Sequence, residues 1–289
     1  MGTDVDDLKV EIGVTEGIIL ENLAHYDRFK FEMVVLGKKY EAIIVNLDTN
    51  LSVMQWENHG RPKILSPTTN ISYIPTELHD CVIKLDPSSI PKITATAEHT
   101  FMLYLLASRN MHNSLYSSRE EWMGTQVRNK NAAIFGAGRI GKLIKKYCEA
   151  FEMNVSTYDK SDKYSRKSEL LNWADVVFVC LTYDKTTADF FNMSDLTSCK
   201  KGQTFVNTAR PKIISRDLIV AALSAGIWKK FCSDFLNHED DKGYVDAALR
   251  SYIDEGRVFL TPHIAGNTAD SFSMALDNVV KSYEKDSLR

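Results

Sequence analysis

The spacing of apolar residues changes near residue 130, and the change divides the chain into two regions of different pattern. From residue 131 onward, short apolar runs alternate with longer segments of helical periodicity. The run at 175–181, DVVFVCL, is almost entirely apolar, as expected for a strand that is buried on both faces of a parallel sheet. Strands that alternate with helices in this way predict a doubly wound α/β domain.

The region before residue 131 predicts fewer and shorter elements. The pattern indicates strands at 40–46, within 61–70 and at 81–85, with a weaker candidate at 31–36. A long helix is expected at 96–122, with Thr96 as its N-cap and Glu98 in its first turn. Apolar residues surround most of this helix at 101–106, so we expect it to be well buried. A last helix is expected from Thr268 to Tyr283.

The composition argues against several classes of function. The 289 residues are enough for two domains, and a formal net charge of −3 gives no electrostatic reason to expect binding to nucleic acid or to an anionic membrane. The chain has no apolar run long enough to span a bilayer, and its acidic N-terminus lacks the apolar segment of a signal peptide. The five cysteines form no C-x-x-C pair, which argues against a zinc site and a disulfide framework. A reducing, cytoplasmic compartment fits best, and no metal is expected.

A G-x-G-x-x-G turn joins an apolar strand to an amphipathic helix. There Gly136 allows a tight turn, Gly138 lets backbone N–H groups approach a pyrophosphate, and Gly141 lets the helix pack on the strand. The helix N-terminus then stabilises the phosphate charge. Asp159 ends the next strand, where an acid bonds the ribose hydroxyls and repels a 2′-phosphate, so NAD is favoured over NADP. Lys160 follows it and weakens that preference.

Ionisable residues follow the later strands. Arg210 stands at the carboxyl end of a strand, the edge where open α/β sheets bind ligands, and its guanidinium can hold a carboxylate through two hydrogen bonds. Asp234 ends the next strand, and Glu239 follows five residues later. His263 lies in a loop after a last apolar run, and His238 is its rival for any histidine role. Taken singly, each of these residues also fits a solvated surface position or, for His263, a place in the core.

The order of these features along the chain is more specific than any one of them. A glycine turn, an Asp at the next strand end, NTAR, an Asp-x4-Glu stretch and LTPHIAG follow one another, and this order resembles the D-isomer-specific 2-hydroxyacid dehydrogenase family over about 63–268. The resemblance implies a Rossmann-type doubly wound parallel sheet inserted into a smaller flavodoxin-like α/β substrate domain. It implies that 97–267 form the NAD-binding domain and that 1–96 and 268–289 form the substrate domain.

The resemblance also implies roles for individual residues. Arg210, Glu239 and His263 match the catalytic positions: the arginine binds the substrate carboxylate, the histidine moves the proton, and the glutamate orients the histidine. Asp234 matches the residue that faces the nicotinamide amide. The cofactor-binding set is Gly136, Gly138, Arg139, Ile140, Gly141, Asp159, Leu181, Thr208, Ala209, Arg210, Asp234, His263 and Gly266. The substrate set is Thr68, Thr69, Asn70 and Arg210.

These assignments predict an NAD-dependent oxidoreductase that interconverts a D-2-hydroxy acid and its 2-keto acid, and a homodimer. Two alternatives stay open: an NAD(H)-binding sensor or regulatory protein of the same fold with little catalysis, and a formate dehydrogenase, against which Glu239 argues. Pro211, Lys230 and Asp240 depart from the family pattern and leave the identity of the hydroxy acid open.

Overall fold

The computed structural model describes residues 10–15, 23, 26, 29–46, 49–68, 71, 73–86, 92–111, 123–159, 161–235 and 245–287. The chain divides into two compact units: 1–93 together with 269–289, and 94–268. Each unit contains one parallel sheet with helices, so the predicted α/β class is confirmed. Within the described residues, no helix combines the length and apolar character needed to cross a membrane.

The first unit is built on a five-stranded sheet. Its strands are β1 (Val10–Val14), β2 (Phe29–Met33), β3 (Ala42–Ile44), β4 (Lys63–Ser66) and β5 (Val82–Lys84). They lie in the order β2-β1-β3-β4-β5 and all pairs are parallel, which is the flavodoxin-like arrangement. Helix α1 (Val53–Asn58) links β3 to β4, and the C-terminal helix α7 (Ala269–Ser287) packs its apolar side against the core of this sheet.

The second unit is built on a six-stranded sheet. Its strands are β6 (Asn131–Phe135), β7 (Asn154–Tyr158), β8 (Val176–Val179), β9 (Gln203–Asn207), β10 (Trp228–Ser233) and β11 (Val258–Leu260). Its helices are α2 (Ala95–Ser108), α3 (Arg139–Ala150), α4 (Tyr164–Trp173), α5 (Arg216–Ser224) and α6 (Arg250–Asp254). The strand order β11-β10-β9-β8-β6-β7 is that of the predicted Rossmann-type doubly wound sheet, except that one described strand lies outside β6, where the usual Rossmann order has two.

Helices cover both faces of the second sheet, and β8 shows why its sequence is continuously apolar. Val177 and Val179 belong to one apolar cluster, whereas Val176 and Phe178 belong to another. Successive side chains of a strand point to opposite faces, so these two clusters are the two sides of the sheet. All four residues are fully buried, as predicted for a strand of a covered parallel sheet.

Both predicted limits of the first long helix are wrong. Helix α2 begins at Ala95 with Thr94 in the N-cap position, so Thr96 lies inside the helix, where its carbonyl accepts a hydrogen bond of 2.6 Å from the Thr100 hydroxyl. The helix ends at Ser108 because the chain turns there, with Asn110 in the left-handed region at φ 50°. The rest of the expected helix, 112–122, lies outside the described residues.

Short elements explain the other differences. The sequence did not reveal β1, since its five residues include a charged Glu11 and a glycine. A Cβ on Gly13 would lie 3.0 Å from the side chain of Val34, so a larger residue there would require Val34 to shift. Strand β2 begins two residues earlier than expected, at Phe29, and α1 and α6 have only six and five residues.

Candidate active site

One edge of the six-stranded sheet collects the predicted cofactor and catalytic residues. All strands of this sheet are parallel, so their carboxyl ends lie at the same edge. The residues that follow these ends are Gly136, Gly138, Arg139, Ile140 and Gly141 after β6, Asp159 after β7, Leu181 after β8, Thr208, Ala209 and Arg210 after β9, Asp234 after β10, and His263 and Gly266 after β11. Every strand end therefore contributes to the candidate site.

The glycine turn after β6 has two positions where no side chain fits. Gly136 has φ +110°, and a Cβ there would lie 2.5 Å from the carbonyl oxygen of Cys180. A Cβ on Gly141 would lie 1.9 Å from the carbonyl oxygen of Gly136. The chain therefore turns as tightly as the motif predicts, and α3 starts directly against the end of β6.

The middle glycine has a different environment. A Cβ built on Gly138 would have no heavy atom within 4 Å, so the space beside it is open. Gly138 is the N-cap residue of α3 and offers no side chain to the first N–H groups of the helix. Arg139 follows and is half-buried, and burial lowers the pKa of its guanidinium without removing its charge. A helix N-terminus and a cation beside open space fit the pyrophosphate of a dinucleotide.

A tight turn with two carboxylates follows β7. The backbone N–H of Asp159 donates to the carboxylate of Asp162 at 2.7 Å, and the Asp162 N–H donates back to the Asp159 carbonyl at 2.9 Å. The Asp159 side chain is exposed. Two acids at this strand end suit ribose hydroxyls and oppose a 2′-phosphate. Lys160 lies outside the described residues.

Asn207 shapes the turn that carries Arg210. The buried Asn207 amide donates to the Arg210 carbonyl at 2.9 Å and accepts from the Ala209 N–H at 3.1 Å. Thr208 is tied to helix α2, since its hydroxyl lies 2.6 Å from that of Thr100. The half-buried Arg210 donates to the Ala209 carbonyl at 2.6 Å. The guanidinium is thereby held on a rigid turn at the sheet edge.

His263 adopts an unusual backbone conformation. Its φ is +56°, in the left-handed region that costs residues with a Cβ about 1–2 kcal/mol. Its N–H donates to the carbonyls of Asp234 and Thr261, each at 3.0 Å. The exposed ring packs beside Phe235, with 4.9 Å between ring centroids. Strained conformations of this kind concentrate at functional sites, where the surrounding structure enforces them.

Hydrogen bonds to the Asp234 carboxylate hold the loop around His263 in place. Its side chain is 2 % exposed, and one carboxylate oxygen accepts from the Thr261 hydroxyl at 2.6 Å and the Ile264 N–H at 2.9 Å. The other oxygen accepts from the Ala265 N–H at 2.7 Å. These bonds all go to the loop that contains His263. The sequence places Asp234 beside the nicotinamide amide, which stays a prediction, and the structure shows that its carboxylate also anchors this loop.

Sequence reasoning missed a polar stripe on helix α2. His99 Nε2 lies 2.9 Å from the Thr261 hydroxyl and 3.6 Å from the Asp234 carboxylate, and Thr100 contacts Thr208. A Cβ on Gly266 would lie 3.5 Å from the hydroxyl of Thr96. The signal was available in the sequence: three polar residues at positions i, i+3 and i+4 interrupt an otherwise apolar helix and must share one face.

The remaining predicted residues lie outside the described residues or in the first unit. Glu239, Thr69 and Asn70 lie outside the described residues. Thr68 belongs to the first unit, after β4, where its hydroxyl lies 3.0 Å from that of Ser66. The buried Ser66 hydroxyl also lies 2.8 Å from that of Tyr73, so a cluster of neutral hydroxyls follows this strand.

Comparisons with known proteins agree with this geometry. The chain is 28% identical over 260 residues to D-3-phosphoglycerate dehydrogenase of Archaeoglobus fulgidus, a match that covers 83% of this chain and 48% of that protein. It is 25% identical over 236 residues to a D-lactate dehydrogenase of Staphylococcus aureus, covering 72% and 71%. The chain thus spans about half the length of the first relative.

Solved structures share the fold. D-lactate dehydrogenase from Aquifex aeolicus, complexed with NAD and lactic acid, superposes with a TM-score of 0.72 at 22% identity over 96% of each chain. The model of a protein family described as D-isomer specific 2-hydroxyacid dehydrogenase, NAD binding domain, matches residues 101–265. Since this match covers more than half of the sequence, the chain belongs to the D-isomer specific 2-hydroxyacid dehydrogenase family and contains its NAD-binding domain.

Proposed function

We propose that the protein interconverts a D-2-hydroxy acid and its 2-keto acid with NAD, and that His263 carries the proton. The observation that supports this most is the shared sheet edge, where the glycine turn, Arg210 and His263 all follow carboxyl ends of parallel strands. A dinucleotide site, a cation for the substrate carboxylate and a proton-transferring ring are the components that the reaction requires.

NAD, when bound, supplies the nicotinamide that accepts or donates the hydride. The N-terminus of α3 and the open space at Gly138 hold the pyrophosphate, and Asp159 bonds the ribose hydroxyls. The other proposed cofactor contacts come from Gly136, Arg139, Ile140, Gly141, Leu181, Thr208, Ala209, Arg210, Asp234, His263 and Gly266.

His263 gives a proton to the keto oxygen in reduction and takes one from the hydroxyl in oxidation. Imidazole suits both directions because its ordinary pKa lies close to neutrality. The ring is exposed at the sheet edge, so a substrate can reach it. We assign Glu239 the task of orienting the ring, as carboxylates do for other catalytic histidines.

Arg210 binds the substrate carboxylate and stabilises the charge that builds on the keto oxygen. Its planar guanidinium offers several N–H donors in fixed directions, and Asn207 fixes the turn on which it stands. In this proposal, Thr68, Thr69 and Asn70 supply further donors to the substrate. The Thr68 hydroxyl contacts the Ser66 hydroxyl, which in turn contacts the hydroxyl of Tyr73.

The test is NADH consumption with a panel of 2-keto acids that includes glyoxylate, pyruvate, hydroxypyruvate, branched members and phosphorylated members. We expect turnover with at least one, and a loss of at least a thousandfold in His263→Gln with NADH affinity retained. His238→Gln is the matched control, because it removes the rival histidine and should leave turnover close to that of the wild type. Equal loss in both variants, or none in His263→Gln, would remove His263 from its role.

The same assay separates catalysis from sensing. A regulatory protein of this fold would bind NADH tightly, as measured by fluorescence, yet turn over none of the panel. The expected result is binding with turnover. Binding without turnover would favour the sensor. The absence of both NADH binding and turnover would contradict both proposals.

We also propose that the protein forms a homodimer through helix α2. Exposed apolar side chains lie on this helix and beside it: Met102, Met111, Met123 and Phe151. An exposed apolar surface of this kind fits a symmetric contact with a second copy. Light scattering should report a dimer for the wild type and a monomer for a Met102→Lys, Phe151→Lys double variant. Met54→Lys, which changes an exposed methionine of the first unit, should stay dimeric.

A reducing compartment, proposed here as the cytoplasm, suits the cysteines. All five are free thiols, and Cys148 and Cys232 are buried in the core of the second unit. Burial raises the pKa of both thiols to about 12, so they stay protonated and behave as small apolar side chains.

A further inference from the structure

We propose that His99, on helix α2, is a positioning residue for the loop that carries His263. The inference rests on the proposed function, because it concerns the placement of the proposed acid/base. His99 and Thr261 are 162 positions apart in the chain, and helix α2 brings the imidazole onto the last loop of the sheet edge.

Counting donors gives the hydrogen bonds a direction. The Thr261 hydroxyl has one proton and lies 2.6 Å from the Asp234 carboxylate, which accepts only, so Thr261 donates to Asp234. The Thr261 oxygen must then accept from His99 Nε2, at 2.9 Å. His99 is therefore the donor at the head of a chain that runs through Thr261 to Asp234. The Asp234 carboxylate in turn accepts the N–H groups of Ile264 and Ala265, the two residues after His263.

Burial favours the neutral form of the His99 ring, which donates from Nε2. The His99 side chain is 12 % exposed, and burial lowers its pKa more than the nearby Asp234 carboxylate raises it. The ring is therefore neutral at neutral pH, with its proton on the nitrogen that faces Thr261. A neutral donor satisfies the Thr261 oxygen without adding charge beside Asp234.

The chain of bonds acts where the backbone is strained. His263 has φ +56°, and a loop released from its anchors would relax toward ordinary conformations and displace the ring. A displacement of about 1 Å at a reacting group can cost about a hundredfold in rate. Loss of the His99 donor should therefore lower kcat by about tenfold to a hundredfold and leave the KM for NADH within about twofold, since the glycine turn is untouched.

The experiment compares His99→Leu, which removes the donor, with His99→Gln, which retains an N–H group at similar reach. Each variant is assayed for kcat and for the KM of NADH, and the hydrogen exchange of the Ile264 and Ala265 amides is measured in the full chain. Arg109→Lys, at the exposed C-cap of the same helix, is the control. We expect His99→Leu to lower kcat and expose both amides to exchange, and His99→Gln to restore most of both.

A second variant covers the case in which His99→Leu does not fold. Thr261→Val removes the hydroxyl between His99 and Asp234, and it should reproduce the kcat loss and the faster exchange. His99→Leu should then add little in the Thr261→Val background, because the two residues act in one chain. Unchanged exchange at Ile264 and Ala265 in both single variants would overturn the inference, and so would equal losses in His99→Leu and His99→Gln.

The exchange measurement also separates this inference from the proposed function. If the wild type turns over no keto acid, the proposed dehydrogenase fails, while faster exchange in His99→Leu would still establish His99 as an anchor of the loop. If the wild type is active and His99→Leu keeps its full kcat, the positioning role fails and the dehydrogenase stands.

Discussion

The glycine turn after β6 and the His263 loop after β11 leave the same edge of one sheet, and both contain a residue at positive φ. Gly136 reaches φ +110° and His263 reaches φ +56°. The glycine turn holds its shape because side chains are absent where backbone approaches backbone. The His263 loop holds its shape because Asp234 and, through Thr261, His99 bind it from outside.

The difference separates two ways of building a site. A phosphate needs open backbone donors, so the turn that binds it is best made without side chains. A proton-transferring group needs a side chain at one fixed point, so its strained backbone must be held by neighbours. The two loops should therefore fail in different ways when they are altered.

The largest effect is expected for Gly141→Ala. The added methyl group would lie 1.9 Å from the Gly136 carbonyl oxygen, so α3 must move away from β6. We expect a loss of about 3 kcal/mol or more in the free energy of unfolding, measured by urea denaturation.

Gly138→Ala is the matched control, since its methyl group meets no atom within 4 Å. Stability should change by less than about 1 kcal/mol, whereas NADH binding should weaken because the methyl group occupies the space proposed for the pyrophosphate. Unchanged NADH affinity in this variant would contradict the placement of the cofactor.

The second-largest effect is expected for Asp234→Ala, which alters the anchor of the His263 loop. Asp234→Ala leaves the N–H groups of Ile264 and Ala265 and the Thr261 hydroxyl without their acceptor, and of these the Ala265 N–H is buried. One unpaired buried donor costs about 1–3 kcal/mol, so we expect a loss of about that size in the free energy of unfolding together with a large loss of turnover. Asp234→Asn, which keeps one acceptor oxygen, should lose less of both. If Asp234→Ala loses turnover at wild-type stability, Asp234 acts mainly on the cofactor, as the sequence suggested.

These two loops also mark what the sequence could predict. The spacing of Gly136, Gly138 and Gly141 is local, so sequence alone gave the turn, its strand and its helix. Asp159, Arg210, Asp234 and His263 are each predicted at or after the end of a strand because an apolar run precedes them. The support of His263 depends on His99, 162 positions from its partner, and no local pattern reports such a contact. Thr96 was misplaced for a related reason, since Thr94 and Thr96 both fit an N-cap and only the folded chain selects one.

A third, smaller effect should follow from the strain at His263. His263→Gly removes the Cβ that makes φ +56° unfavourable, while the N–H bonds to Asp234 and Thr261 stay in place. We expect the folded state to keep its stability or gain up to about 1 kcal/mol relative to His263→Gln, with no turnover in either variant. Calorimetry of the two variants at one pH measures this. A glycine variant less stable than the glutamine variant would mean that the ring contact with Phe235 outweighs the backbone strain.

The smallest effect concerns pH and tests the neutral state of His99. Burial holds the pKa of His99 below its ordinary value of 6.5 in the folded protein, so the unfolded chain binds a proton there more readily. The unfolding free energy should therefore fall as the pH drops below about 6.5, and the contribution of His99 should be fully present above that value. His99→Gln has no titrating group at this position, so its stability should fall less between pH 7.5 and pH 5.5, measured by urea denaturation at each pH. Equal pH dependence in the two proteins would show that Asp234 compensates the buried imidazolium, and the donor facing Thr261 would then be a charged ring rather than a neutral one.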